Sequence, residues 1–367
     1  MDTLLGGPGR YVQGPGLLKR LGQYTAPLGQ GLFVVTDPAG RQRMERDVRE
    51  GMAGAGPLVW AETGAACCEQ EARRLAAAFA ASGCGVLAGA GGGRHLDLAK
   101  AAAHFAGAPA VMLPTAASTD APCSAAAVLY TPEGLFQRYL QLAQSPALVL
   151  ADTAQIAAAP PRLLAAGMGD ALATWFEARA CAEAGGRNGL GGVPGTAALA
   201  LARACWDTLR EYGTAALAEA QEKRPGPALE RIVEANICLS GIGFESGGLA
   251  AAHAVNNGLA ALPAGRASSH GEKVAFGTLV QLVLEQRLGA HPGRAAADLA
   301  AALAFCRAVG LPTTLEALGF GRLTPQELAR AAALACAPTD NMGNMPFAVS
   351  ERDAAAAVLE ADRLERR

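Results

Sequence analysis

The sequence predicts an α/β domain built on a parallel sheet, followed by an all-helical domain. Three observations carry this reading. Short apolar runs alternate with helical stretches through residues 1–160, the strand signal stops after "AAAPPRLLAAG", and nearly every later segment reads as helix broken at Gly or Pro.

The expected strands are "GLFVV" (Gly31 to Val35), "PLVWAE" (Pro57 to Glu62), "GVLAGA" (Gly85 to Ala90), "AVMLPT" (Ala110 to Thr115) and "ALVLAD" (Ala147 to Asp152). Each ends in a small or polar residue. Helical stretches such as "EARRLAAAFAAS" and "LDLAKAAAHFAG" lie between them, which implies a Rossmann-like sheet covered on both faces. "AVLY-TPEG-LFQRYL" reads as a hairpin with a Pro-Glu-Gly turn. From the boundary at Pro160–Pro161, residues 161–367 carry "ALERIVEANICLSGIGFE", "GEKVAFGTLVQLVLEQRLG", "AADLAAALAFCRAVG" and "TPQELARAAALAC", all helical in pattern.

Composition narrows the function classes. Hydrophobic residues make up 51% and charged residues 17%, which describes a folded chain with a sizeable core. A net charge of −2 leaves no basic footprint for nucleic acid or an anionic membrane. Nine cysteines, scattered from Cys67 to Cys336 without a C-x-x-C pair, argue against a disulfide framework or a cysteine zinc site and suit a reducing cytoplasm. The first residues show no secretory signal pattern, and the longest uncharged stretches are broken by Gly, Asn, His and Pro, so no membrane span is expected.

Two groups of residues point to chemistry. The first follows the expected strands. Gly91, Gly92 and Gly93 precede a helix whose unpaired N–H groups suit a pyrophosphate, with Arg94 as a planar phosphate donor. The run is not a true G-x-G-x-x-G, since a pattern begun at Gly89 meets Arg94 at its last glycine, and a tight strand–helix turn accounts for it nearly as well. Asp37, directly after a buried strand, suits ribose hydroxyls and would repel a 2′-phosphate, favouring NAD over NADP; a turn-forming Asp-Pro is the plainer account. A hydroxyl-rich loop with Thr115, Ser118, Thr119, Asp120 and Ser124 follows the fourth run.

The second group is Asp170, His253 and His270. Asp170 is expected at the mouth of a helix, where capping alone would explain it. Each histidine alone is explained as a hydrogen-bonded core residue. Three such residues on helix termini or turns of one helical domain make an N/N/O set with an open position, the arrangement of a catalytic zinc. Lys273 reads as a surface or helix-start charge.

The blocks "GGGRHLDLAK", "PTAASTDAPCSAAAVLY", "AGMGDALATWFEARAC", "FESGGLAAAHAVNNGL" and "HGEKVAFGTLVQLVLE" resemble the glycerol dehydrogenases of the iron-containing alcohol dehydrogenase superfamily, whose fold is dehydroquinate synthase-like. The resemblance runs from "GRYVQGPG" to "NMP" at Asn344–Pro346. It implies NAD-linked oxidation of glycerol or a related vicinal diol to the hydroxyketone, with metal held by Asp170, His253 and His270. It places NAD against Asp37, Gly92, Gly93, Arg94, Thr115, Ser118, Ser124 and Tyr130, and the diol against Asp120, in a homo-oligomer, commonly an octamer.

Four departures stand out. Arg94-His95 replaces the usual Lys-Thr after the glycines, Asn256 replaces a second histidine after His253, and the segment between His253 and His270 is one residue short. Thr174 stands where iron-using relatives place a fourth ligand, which favours Zn2+ over Fe2+. Two other readings compete: a phosphorylated-polyol dehydrogenase or synthase on the same fold, which would need cations around the metal, and an NAD-binding protein without catalysis.

Overall fold

In the computed structural model, which describes residues 2–64, 66–132, 136–266 and 268–366, the apolar runs of the first half form strands. These are β1 (Tyr11–Gly14), β2 (Leu32–Thr36), β3 (Leu58–Glu62), β4 (Val86–Gly91), β5 (Ala110–Pro114), β6 (Ala126–Tyr130), β7 (Phe136–Gln141) and β8 (Leu148–Asp152). Six of them make one sheet in the order β1-β8-β5-β4-β2-β3, with every pair parallel. All residues of β2, β4 and β8 are buried, as a parallel sheet covered on both faces requires. Alternate residues show the two faces. Leu32, Val34, Val86, Ala88, Val111 and Leu148 pack with Leu18, Leu21, Met44 and Val48, while Phe33 on the other face meets Phe79 edge-on at 5.9 Å.

β1 is a strand that apolar patterning missed. It is four half-buried residues ending in glycine, and only its parallel pairing with β8, from Tyr11↔Val149 to Gly14↔Asp152, defines it. β6 and β7 form the expected antiparallel hairpin, with an irregularity at Leu129/Tyr130. The predicted Pro-Glu-Gly turn lies partly outside the described residues.

The chain forms two compact units. One is Gly6–Leu163 with Ala218–Gly241; the other is Met1–Leu5, Leu164–Leu217 and Ile242–Arg367. In the first, the helix Pro227–Glu234 runs into a π-helical segment, Ala235–Leu239, a widened turn that re-aims side chains. Asn236 donates from Nδ2 to the Ala117 carbonyl at 2.9 Å, and Ser240 donates to Asp120 Oδ2 at 2.7 Å, so this segment grips the loop after β5.

The second unit is helical. Its helix His270–Leu288 is buried from Gly271 to Glu285, a helix packed on every side. A capping box of Ser269 and Glu272 starts it, and Thr324 with Glu327 starts Pro325–Ala335 in the same way. No described helix in either unit is long and apolar enough to cross a membrane.

Candidate metal centre and nucleotide crevice

Asp170 does not sit at a helix mouth. It lies inside the 24-residue helix Pro161–Ala184, whose residues from Leu164 to Thr174 are all buried, so capping does not explain it. Alanine richness hid the true start of this helix, which begins at Pro161. A buried carboxylate demands compensation. His270, the first residue of helix His270–Leu288, brings Nε2 to 3.1 Å from Asp170 Oδ1, and His253 Nε2 lies 3.6 Å from the same oxygen.

Glycine makes this approach possible. A Cβ on Gly271 would stand 1.9 Å from the Ala166 carbonyl oxygen and 3.1 Å from the Asp170 nitrogen, so only glycine lets the two helices close beside the carboxylate.

The N/N/O set is therefore assembled: one ligating atom from each of Asp170, His253 and His270 lies within 4.8 Å of the others. The donors fit a divalent metal in their chemistry, two imidazoles and one carboxylate converging on one point. Burial opposes charge on Asp170, but His270 and hydrogen bonding from both rings hold it well below the usual carboxylate range. Burial likewise works to discharge His253, yet the Glu177 and Asp170 carboxylates outweigh it and hold the ring well above its usual value.

Glu177 is the residue that sequence reading overlooked. It is seven positions after Asp170, two turns along the same helix face, and fully buried. Its Oε2 lies 2.6 Å from His253 Nδ1, while Oε1 accepts from the backbone N–H groups of Ala250 at 2.8 Å and His253 at 2.9 Å. Gln281 accepts from Ala252 N at 3.1 Å, so the helix Ala251–Ala260 is capped by side chains from its neighbours. The result is a carboxylate–histidine pair that turns His253 Nε2 towards Asp170. The only sequence signal was an acidic residue in the apolar "ATWFEARAC".

Lys273 is not a surface charge. It is buried, and its Nζ donates to the carbonyls of Gly265 at 3.0 Å, Ser268 at 2.7 Å and Ser269 at 3.2 Å, tying down the turn before His270. Burial lowers its pKa.

The α/β unit carries the other group. The chain leaves β2 for β3 and returns to β4 on the other side of β2, so strand order reverses between β2 and β4; ligands bind such sheets at this reversal, beyond the carboxyl ends of the strands. Asp37 and the Gly91–Gly93 run stand there, and Thr115, whose N–H donates to Gly91 O at 3.1 Å, follows β5 next door. Asp37 caps the helix Pro38–Gly51 through Gly40 N, so the turn reading is realised too.

The helix Gly93–Ala106 starts without any side-chain cap, and the space beside Gly92 is open. Arg94 is exposed, Ser118 and Tyr130 are half-buried, and Ser124 and Asp120 are buried. Burial, then the Asp97 charge, raises the Tyr130 pKa. Lys100, also overlooked from sequence, is buried in this unit: Nζ pairs with Asp97 at 2.9 Å and donates to the carbonyls of Ala121 at 2.8 Å and Ala126. It anchors the loop bearing Asp120 and Ser124. An Asp-x-x-Lys pair inside an apolar helix was its signal.

A family model described as iron-containing alcohol dehydrogenase matches residues 8–153. The chain is 47% identical to a glycerol dehydrogenase from Escherichia coli, over 100% of this chain and 98% of that one. It is 44% identical to one from Thermotoga maritima, over 98% and 96%. Among solved structures, a probable glycerol dehydrogenase from Sinorhizobium meliloti is similar with a TM-score of 0.91 at 39% identity, covering 100% of this chain and 99% of that one.

Proposed function

This chain belongs to the iron-containing alcohol dehydrogenase family, and we propose that within it the protein oxidises glycerol, or a related vicinal diol, to the hydroxyketone with NAD. The observation that carries the proposal is the convergence of Asp170, His253 and His270 in a chain similar over its full length to glycerol dehydrogenases.

Asp170, His253 and His270 would hold the metal, and three protein ligands, with Thr174 one turn after Asp170, favour Zn2+ over Fe2+. When bound, the metal supplies Lewis acidity that lowers the alcohol pKa, and NAD supplies the hydride acceptor. With the metal bound, Glu177 would keep the His253 proton on Nδ1 and leave the Nε2 lone pair to the ion. Asp37 would accept from the adenosine ribose, and Gly92, Gly93 and Arg94 would meet the pyrophosphate at the uncapped helix start. Thr115, Ser118, Ser124 and Tyr130 would line the rest of the nucleotide, and Asp120, its carboxylate fixed by Ser240, would accept from a substrate hydroxyl. An octameric assembly and a cytoplasmic setting belong to the same proposal; nine free cysteines fit a reducing compartment. The phosphorylated-polyol reading loses support because the Lys273 ammonium is already engaged by three carbonyls.

The test is NADH formation from NAD and glycerol by chelator-stripped protein before and after zinc reloading, with Asp170→Asn alongside. Zinc-dependent turnover lost in Asp170→Asn is expected. Bound zinc and NAD without turnover on any diol would favour the non-catalytic reading.

A further inference from the structure

His95 is one of the departures from the family pattern, and its surroundings assign it a task. Its side chain lies at the carboxyl ends of three neighbouring strands. Nε2 is 3.8 Å from Asp37 Oδ2 after β2, the ring hydrogen-bonds to the backbone of Thr63 after β3, and Nδ1 lies over Gly91 at the end of β4. A Cβ on Gly91 would stand 2.9 Å from Nδ1, so the ring occupies this position only because that residue is glycine.

We propose that His95 sets the nucleotide selectivity of this crevice: neutral, it leaves Asp37 to select an unphosphorylated ribose, and protonated, it admits a 2′-phosphate. The inference rests on reading the crevice as the NAD site. Asp37 Oδ1 is committed to Gly40 N, whereas 3.8 Å between Oδ2 and His95 Nε2 is too long for a hydrogen bond. Oδ2 is thus available to accept from a ribose hydroxyl, yet close enough to feel a charge on the ring. A phosphate on that ribose would face the Asp37 carboxylate. His95, whose Nε2 lies 3.8 Å from Oδ2, is the group beside that carboxylate that can gain a positive charge.

The charged groups around the ring are few. Asp37 faces it from the β2 turn and favours protonation, and Arg94 on its own helix opposes it. From the β3 side it meets the backbone of Thr63, while Glu62 there is paired with Arg41 at 2.7 Å. Burial is the largest influence and lowers the pKa of His95, so the ring is neutral at mildly alkaline pH and gains its charge on acidification.

The experiment measures NADH and NADPH affinity by nucleotide fluorescence on the full zinc-loaded chain at about pH 8 and about pH 5.5. Wild type is compared with His95→Gln and His95→Thr, two neutral replacements of different size, so that misfolding of one does not end the test. The second ionisation of the 2′-phosphate, near pH 6, narrows the preference for NADH on acidification in every protein. The expected result is that wild type narrows it about tenfold further than either variant, the effect of a unit charge at ionic-contact range in a partly solvated site. Equal narrowing in wild type and variants, with NADH binding intact, overturns the role of His95. Failure of wild type to bind NADH at either pH overturns the crevice reading as well.

Discussion

Replacing Glu177 with glutamine keeps the volume of a fully buried side chain and changes only its hydrogen-bonding character. In the native protein three donors face its two oxygens: the N–H groups of Ala250 and His253 at Oε1 and the Nδ1–H of His253 at Oε2. Glutamine has one acceptor oxygen and an NH2. If the oxygen stays on the two backbone groups, the NH2 opposes His253 Nδ1, and the imidazole relieves the clash by moving its proton to Nε2. That nitrogen is the one directed at Asp170, so the lone pair for the metal is lost. If the amide flips, two N–H groups at a helix start are left facing donors. Loss of such a supporting partner weakens metal binding about 10–100-fold, or about 1.4–2.7 kcal/mol. Zinc competition against a chromophoric chelator measures it directly, with melting of the zinc-free protein reporting the fold. A Glu177→Gln variant that binds zinc as tightly as wild type would refute the reasoning.

Two other substitutions test the frame around the sites. Gly271→Ala places a methyl 1.9 Å from the Ala166 carbonyl oxygen. The helices must separate at a cost at or above the usual overpacking range of about 1–3 kcal/mol. Thermal melting and zinc content per chain should both fall, and a wild-type melting temperature would contradict the close approach. Lys100→Met leaves Asp97 without its buried partner and costs about 3–5 kcal/mol in a denaturant titration, with weaker NADH binding as the Asp120 loop loosens. Unchanged stability would show that the pair is dispensable.

The sheet was legible because buried parallel strands are short, apolar and punctuated, as "GLFVV" and "GVLAGA" are. β1 was not, because "YVQG" gains its strand character only from β8. The residues Asp170, His253 and His270 stood out as polar groups in apolar settings, and the fold brings them together. Glu177 carried the same signal but was absorbed into the helix pattern, since nothing in sequence shows that Ala250 and His253 present their N–H groups to it. Helical periodicity also misplaced Asp170 at a helix mouth. In alanine-rich sequence, propensity barely marks where a helix begins, and Pro161 settles it. Nor does periodicity reveal that residues 218–241 pack with the sheet, because that depends on Asn236 and Ser240 finding the loop after β5.

That grip has a consequence for how the protein is made. The loop bearing Asp120 is fastened by Ser240, 120 positions later in the chain. At about 5–20 residues per second, the ribosome needs about 6–24 s to add that stretch. Through this interval a nascent chain can assemble the strands of its sheet, yet it lacks the segment that fixes the loop. Synthesis rate thus bears on when the loop is fully fastened, and a chain released before Ser240 would hold it through Lys100 without the bond to Asp120. Codon choice across residues 120–241 is therefore a lever on folding yield that leaves every side chain unchanged.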